Sequence, residues 1–209
     1  MRIQKGCIGI SDVKDVPLLR QVLHSQLITH EQLWSFMYLQ LYELNRPSFN
    51  WRVRRLVESG LLARHSKLPY TESYVYSMTN AGAEVLINRG EWFPMLSGDN
   101  GRKQRLSVAH TLRLNDLQLS LVREGILESW KPEPMIRFEN DCLANPHAKD
   151  YDAIVTVRID HRKPRWPPQN RPCVATEVGS QCSISSMKGQ PSGTETIAIS
   201  GSWSSRRQH

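Results

Sequence analysis

Several things are missing from this chain, and each absence narrows what it can be. Its four cysteines, Cys7, Cys142, Cys173 and Cys182, form no CxxC pair. Neither a zinc knuckle nor a disulfide framework is offered, and the usage suits a reducing cytoplasm. No apolar run approaches the roughly 18 residues that cross a bilayer, which excludes a helical membrane protein. The first residues have basic side chains but no continuous apolar stretch, so a secretory signal peptide is not expected. There is no P-loop, no glycine-rich dinucleotide fingerprint and no G-x-S-x-G elbow. Nucleotide-driven work and serine hydrolysis are therefore unsupported, and no cofactor is expected.

What is present is an ordinary soluble composition of 39% apolar and 22% charged residues over 209 positions. At roughly 150 residues per domain, that makes one large domain or two small ones. The net charge of +7 is unevenly spread. Residues 46–67 hold Arg46, Arg52, Arg54, Arg55, Arg64 and Lys67 against the single acid Glu58. A local basic cluster of this kind is a footprint of nucleic-acid binding.

The pattern predicts an α+β protein. Asp15 and Pro17 open a first helix over about 16–25, with Leu18, Leu19, Val22 and Leu23 at helical spacing. Thr29 to Gln32 is a capping box ahead of Leu33, Phe36, Met37 and Leu41. Pro47 and Ser48 open a third helix with Phe49, Val53, Leu56 and Val57 inward and Gly60 as its stop. Two short strands follow around a turn at Lys67 to Thr71, and Thr79 and Asn80 then cap a fourth helix. Three helices, a hairpin and a helix, over residues 1–90, is the order of a winged helix-turn-helix.

Gly90 to Gly101 reads as a linker. Residues 102–179 read as a long helix over about 103–124, apolar on two sides, leading a small α/β domain. Its candidate strands are Met135 to Phe138, Ala153 to Ile159 and Cys173 to Val178. The two stripes of the long helix are Leu106, His110, Leu114, Leu117 and Leu121, and Val108, Leu112, Leu119 and Val122. His110 reads as a core histidine, with no metal-spaced partner. Residues 180–209 contain nine serines and three glycines and are expected to be a disordered tail, from a frameshifted or truncated end that leaves the α/β domain incomplete.

On the third helix, Asn50, Arg52 and Arg55 are expected to face outward, where Asn and Arg can contact base edges in the major groove. Arg54, Arg64 and Lys67 are better placed for phosphates. Neither Arg52 nor Arg55 belongs to the apolar stripe, so removing both is expected to leave the fold intact. An alternative, in which the winged domain serves only protein association, requires Arg52 and Arg55 to be buried in salt bridges.

The stretch Ser48-Phe49-Asn50-Trp51-Arg52-Val53-Arg54-Arg55-Leu56-Val57-Glu58-Ser59-Gly60-Leu61-Leu62 is followed by Tyr74 to Gly82, by His110-Thr111-Leu112-Arg113-Leu114-Asn115-Asp116, and by Tyr151-Asp152-Ala153-Ile154-Val155. Over residues 15–178 this succession resembles the replication-relaxation family, winged-helix proteins of bacterial plasmids and integrated mobile elements. The resemblance implies DNA binding in replication control, and a C-terminal region similar to restriction-endonuclease-like folds. Nucleases of that kind hold Mg²⁺ on strand carboxylates beside a lysine. Glu133, Asp152 and Glu177 are the candidates here, but Gly179 stands where the lysine belongs. The expectation is therefore a non-catalytic, cytoplasmic protein with duplex DNA as partner, with a homodimer as a further option and with no membrane. A metal-dependent nuclease is the alternative.

Overall fold

The computed structural model describes residues 9–66, 71–91, 108–142, 151–158, 182–187 and 194–201. The protein is α+β and divides into two compact units, residues 1–123 and 124–209.

In the first unit the order is α1 (Asp15–Ser25), β1 (Ile28–Thr29), α2 (His30–Leu39), α3 (Arg46–Glu58), β2 (Leu62–His65), β3 (Val75–Met78), α4 (Asn80–Ile87) and α5 (Val108–Arg123). The capping box forms as expected: the Gln32 amide donates to the Thr29 hydroxyl oxygen, and the Gln32 side-chain oxygen accepts from the Thr29 amide. Asn45 caps α3 by accepting from the Ser48 amide, with Pro47 in the first turn, where a missing N–H costs nothing. The Thr79 hydroxyl accepts from the Gly82 amide and caps α4. A side chain at Gly82 would run into the Leu61 carbonyl and the Met78 sulfur, so α4 reaches the hairpin only because this residue is glycine.

β1, β3 and β2 form an antiparallel sheet in that order, with Ile28 opposite Tyr76 and His65 opposite Val75. Its core is Leu18, Leu19, Val22, Ile28, Leu33, Phe36, Phe49, Leu56, Leu62, Val75 and Leu86, all fully buried. Val57, expected inside with Phe49, Val53 and Leu56, is only half-buried.

The long helix departs from expectation in two ways. It belongs to the first unit, not to the C-terminal one, so the boundary at residue 102 is replaced by one at 123. Its buried face is Thr111, Leu112, Asn115, Gln118 and Leu119, which keeps Leu112 and Leu119 of the second expected stripe, includes no residue of the first, and is largely polar. Hydrogen bonds compensate that burial. The Gln32 side-chain amide donates to the Leu112 carbonyl (2.8 Å) and the Asp116 carboxylate (2.7 Å), and Asn115 donates to the Leu27 carbonyl (2.7 Å). Gln21 reaches both Ser25 (3.0 Å) and Gln118 (3.4 Å). An apolar-stripe rule cannot find a helix seated on such a network. His110 is half-buried in its first turn.

The second unit contains β4 (Leu127–Pro132), α6 (Glu133–Cys142), β5 (Ala153–Arg158), β6 (Cys182–Met187) and β7 (Thr194–Gly201). The sheet runs β4-β5-β7-β6 and is antiparallel at every described pairing, so this unit is an antiparallel sheet with a helix rather than an alternating α/β layer. Ala153, Val155 and Val157 share one buried face of β5, and Ile136 of α6 is also buried.

Three expectations are corrected here. Met135 to Phe138 lies in a helix. Glu133 and Pro134 are favourable first-turn residues, and a short apolar run does not distinguish helix from strand. β4 was not expected because its sequence, Leu-Glu-Ser-Trp-Lys-Pro, alternates poorly; it is tolerated at a sheet edge, with proline as its last residue. The Ser-rich tail, expected to lack fixed structure, supplies β6 and the inner strand β7. Composition concealed Thr196, Ile197 and Ile199, β-branched residues that pair with β5 on one side and β6 on the other. The strand expected at Cys173 to Val178 lies outside the described residues.

Candidate nucleic-acid interface

The outer side of α3 is defined by what the inner side buries. With Phe49, Val53 and Leu56 in the core, the exposed stripe is Pro47, Asn50, Trp51, Arg54 and Glu58, at offsets of three and four residues. Beside it the β2–β3 hairpin presents Arg64, whose guanidinium lies over the Tyr74 ring at 4.8 Å. A groove of about 640 Å³ is lined by His30, Arg46, Asn50, Arg54, Arg64 and Tyr74, among others.

Two of the expected base-contacting residues are not in it. Arg52 and Arg55 turn to the other side of α3, toward α1. Arg52 Nη1 donates to Asp15 Oδ1 at 2.7 Å, and Arg55 Nη2 donates to Asp15 Oδ2 at 2.5 Å. Arg52 also lies 3.6 Å from Glu43, which pairs with Lys14 at 3.2 Å. The Asp15 side chain is 0% exposed and that of Arg52 13%. The expectation that both arginines are outward readers is thereby corrected. A buried carboxylate at the start of α1 needs counter-charges, and the α3 face turned toward it supplies Arg52 and Arg55. Burial pushes the Asp15 carboxyl up, but hydrogen bonds from Arg52, the Ser11 amide and Arg55 outweigh it and hold the group below its ordinary value. Glu43 is likewise lowered, with burial opposed by Lys14, the Asn45 amide and Arg52. Arg55 also stacks over Trp51 at 5.1 Å.

Asn50, Arg54 and Arg64 do come together, as expected; Lys67 lies outside the described residues. The groove also holds acids. Glu31 is paired with Arg46, Glu58 lies 3.9 Å from Arg54, and Glu72 is at the rim. Arg46 lies over the Trp34 and Phe49 rings at 5.1 and 5.9 Å. Sequence reasoning missed His30, Trp51 and Tyr74. The signal for Trp51 was available in its spacing of four residues from Pro47 and three from Arg54 on the outward stripe, whereas nothing local marked His30. Its ring Nε2 is 2.9 Å from Asn50 Oδ1 and its Nδ1 is 3.0 Å from the Tyr76 hydroxyl.

Of the alternative metal ligands, Glu133 and Asp152 are brought together through their backbones, the Glu133 amide donating to the Asp152 carbonyl at 3.1 Å. The Glu133 carboxylate pairs with Arg137 at 2.5 Å, and Glu177 lies outside the described residues. No group of three or more His, Cys, Asp or Glu suited to a metal occurs among the described residues. No described helix is long and apolar enough to cross a membrane. Neither protein-family models, nor curated proteins, nor solved structures give a match to this chain.

Proposed function

We propose that the first unit is a winged helix-turn-helix and that the protein binds duplex DNA, without catalysis, in replication control or transcriptional regulation of a plasmid or other mobile element. The observation that carries this reading is the shared groove of α3 and the hairpin. Asn50 and Arg54, on the outward stripe of the helix that follows the turn, line it together with Arg64 and Tyr74. A helix presenting amide and guanidinium groups next to a basic hairpin edge suits simultaneous contact with bases and phosphates. The resemblance to the replication-relaxation family supports the mobile-element setting.

The test is fluorescence anisotropy of the full chain with a labelled random-sequence duplex across a salt series. Binding should weaken as salt rises, and Arg54→Ala or Arg64→Ala should each lower the salt slope by about one phosphate contact. Absence of duplex binding at low salt would overturn the proposal.

A second reading, association with protein alone, is favoured by one observation. Arg52 and Arg55 lie in intramolecular salt bridges, as that reading requires. Val13, Tyr38, Leu41 and Leu44 are also exposed, and Leu41 sits at φ 60°, an uncommon conformation for leucine. Sedimentation distinguishes the two: concentration-dependent self-association by a chain that ignores duplex DNA would favour this second reading.

A further inference from the structure

We infer that His30 is a positioning residue that sets the base preference of Asn50, turning it from an adenine reader into a hydrogen-bond donor aimed at guanine; this rests on the DNA-binding reading above. His30 is the first residue of α2, and its backbone amide donates to the Tyr74 carbonyl at 3.0 Å. Its ring is packed against Phe49, with centroids 5.1 Å apart, and against Tyr76 at 5.8 Å. The imidazole is thus held from its backbone and against two aromatic rings, and its nitrogens have fixed directions.

Those directions determine a proton arrangement. Asn50 Oδ1, 2.9 Å from His30 Nε2, can only accept, so Nε2 carries the hydrogen. In the neutral ring Nδ1 is then an acceptor, and the Tyr76 hydroxyl, 3.0 Å away, donates to it. Burial raises the Tyr76 pKa, which keeps that hydroxyl protonated. The chain of bonds therefore runs one way, from Tyr76 through His30 to Asn50, and engages Asn50 through its oxygen. A carboxamide is planar with its oxygen and nitrogen on opposite sides, so the amide N–H₂ is turned away from His30.

An asparagine reads adenine by using both ends at once, accepting from N6–H and donating to N7. With the oxygen held inward, Asn50 presents a donor. The matching major-groove edge is guanine, which offers acceptors at both N7 and O6 and no donor. Without the His30 N–H the amide is free to turn, and the two-ended adenine contact becomes available.

The experiment uses the full chain and a random-sequence duplex pool, comparing base enrichment by the parent and by His30→Phe. The phenylalanine keeps a ring against Phe49 and Tyr76 but removes the Nε2 donor, and circular dichroism checks that it folds. The parent should enrich guanine at one position of its site. His30→Phe should narrow the guanine-over-adenine ratio there about fivefold or more, with the other positions unchanged. In parallel, ¹⁵N imidazole shifts of the free parent chain should place the His30 proton on Nε2; a proton on Nδ1 would overturn the inference even if the variant failed to fold. Identical enrichment from both proteins would overturn the role of His30 while leaving DNA binding standing. A parent chain that retains no duplex would overturn the DNA-binding reading, and the specificity role with it.

Discussion

The two flanks of α3 carry the same kind of residue and do different work. On one flank Arg52 and Arg55 converge on Asp15, a carboxylate with no exposed surface, and Glu43 extends the network. On the other, Arg54 is 67% exposed and sits 3.9 Å from Glu58, itself 71% exposed. Three arginines within four residues thus divide into a buried set of counter-charges and a solvated cation. A charged side chain acquires its role from the dielectric around it: ion pairing out of water must be matched atom by atom, whereas an exposed pair contributes little. Arginine content alone therefore overstates the solvent-facing charge of this helix, and two of its guanidinium groups belong to the fold.

The largest effect expected from this contrast is on stability. Arg52→Ala/Arg55→Ala strips both guanidinium partners from the buried Asp15 carboxylate and should cost about 3–5 kcal/mol in urea unfolding, against less than about 0.5 kcal/mol for Arg54→Ala. Equal losses from the two would erase the distinction between the flanks. The outcome also reverses what the sequence suggests, since Arg52→Ala/Arg55→Ala was expected to fold normally.

A smaller loss is expected where α5 is seated by polar groups. Asn115→Ala leaves the half-buried Leu27 carbonyl without its 2.7 Å donor and should destabilise by about 1–2 kcal/mol. A neutral result would show that α5 is held by Leu112 and Leu119 alone.

Acidification probes the buried flank without mutation. The folded-state pKa of Asp15 lies below its ordinary 3.8 and that of Glu43 below 4.5. Their stabilisation is therefore fully present above those values and lost as pH falls through the lower folded-state values. His24 adds an earlier window. Burial, with help from Arg20, lowers its pKa from the ordinary 6.5, so the unfolded chain takes up a proton first and stability declines as pH drops below about 6.5. Urea midpoints measured from pH 7.5 down to 3 should fall in these two stages. In a destabilised but folded Asp15→Asn variant the later stage should shrink; an unchanged profile would remove Asp15 from the account.

The smallest effect sharpens the exposed flank. Glu58 and Glu72 oppose the arginines of the groove, so Glu58→Gln should tighten duplex binding several-fold at low salt, with the gain fading at high salt. Weaker binding by this variant would mean that Glu58 holds Arg54 in place rather than competing with DNA.

Local chemistry alone determined much of the first unit. The capping box at Thr29, the proline opening of α3, the Thr79 cap and the stripe of Phe49, Val53 and Leu56 are written in neighbouring residues, because caps and helical faces act over one turn. Asn50, Arg54 and Arg64 were legible as candidates for the same reason: inward residues on one face dictate which ones point out. Other features were decided by partners distant in sequence. Asp15 claims Arg52 and Arg55 across 37 and 40 positions, Gln32 reaches Asp116 across 84, and β7 becomes an inner strand only because β5 and β6 flank it. A buried charge, a polar helix seat and a serine-rich strand each run against local preference. They are stable only once the groups that match them are in place, and those groups are brought there by the tertiary fold.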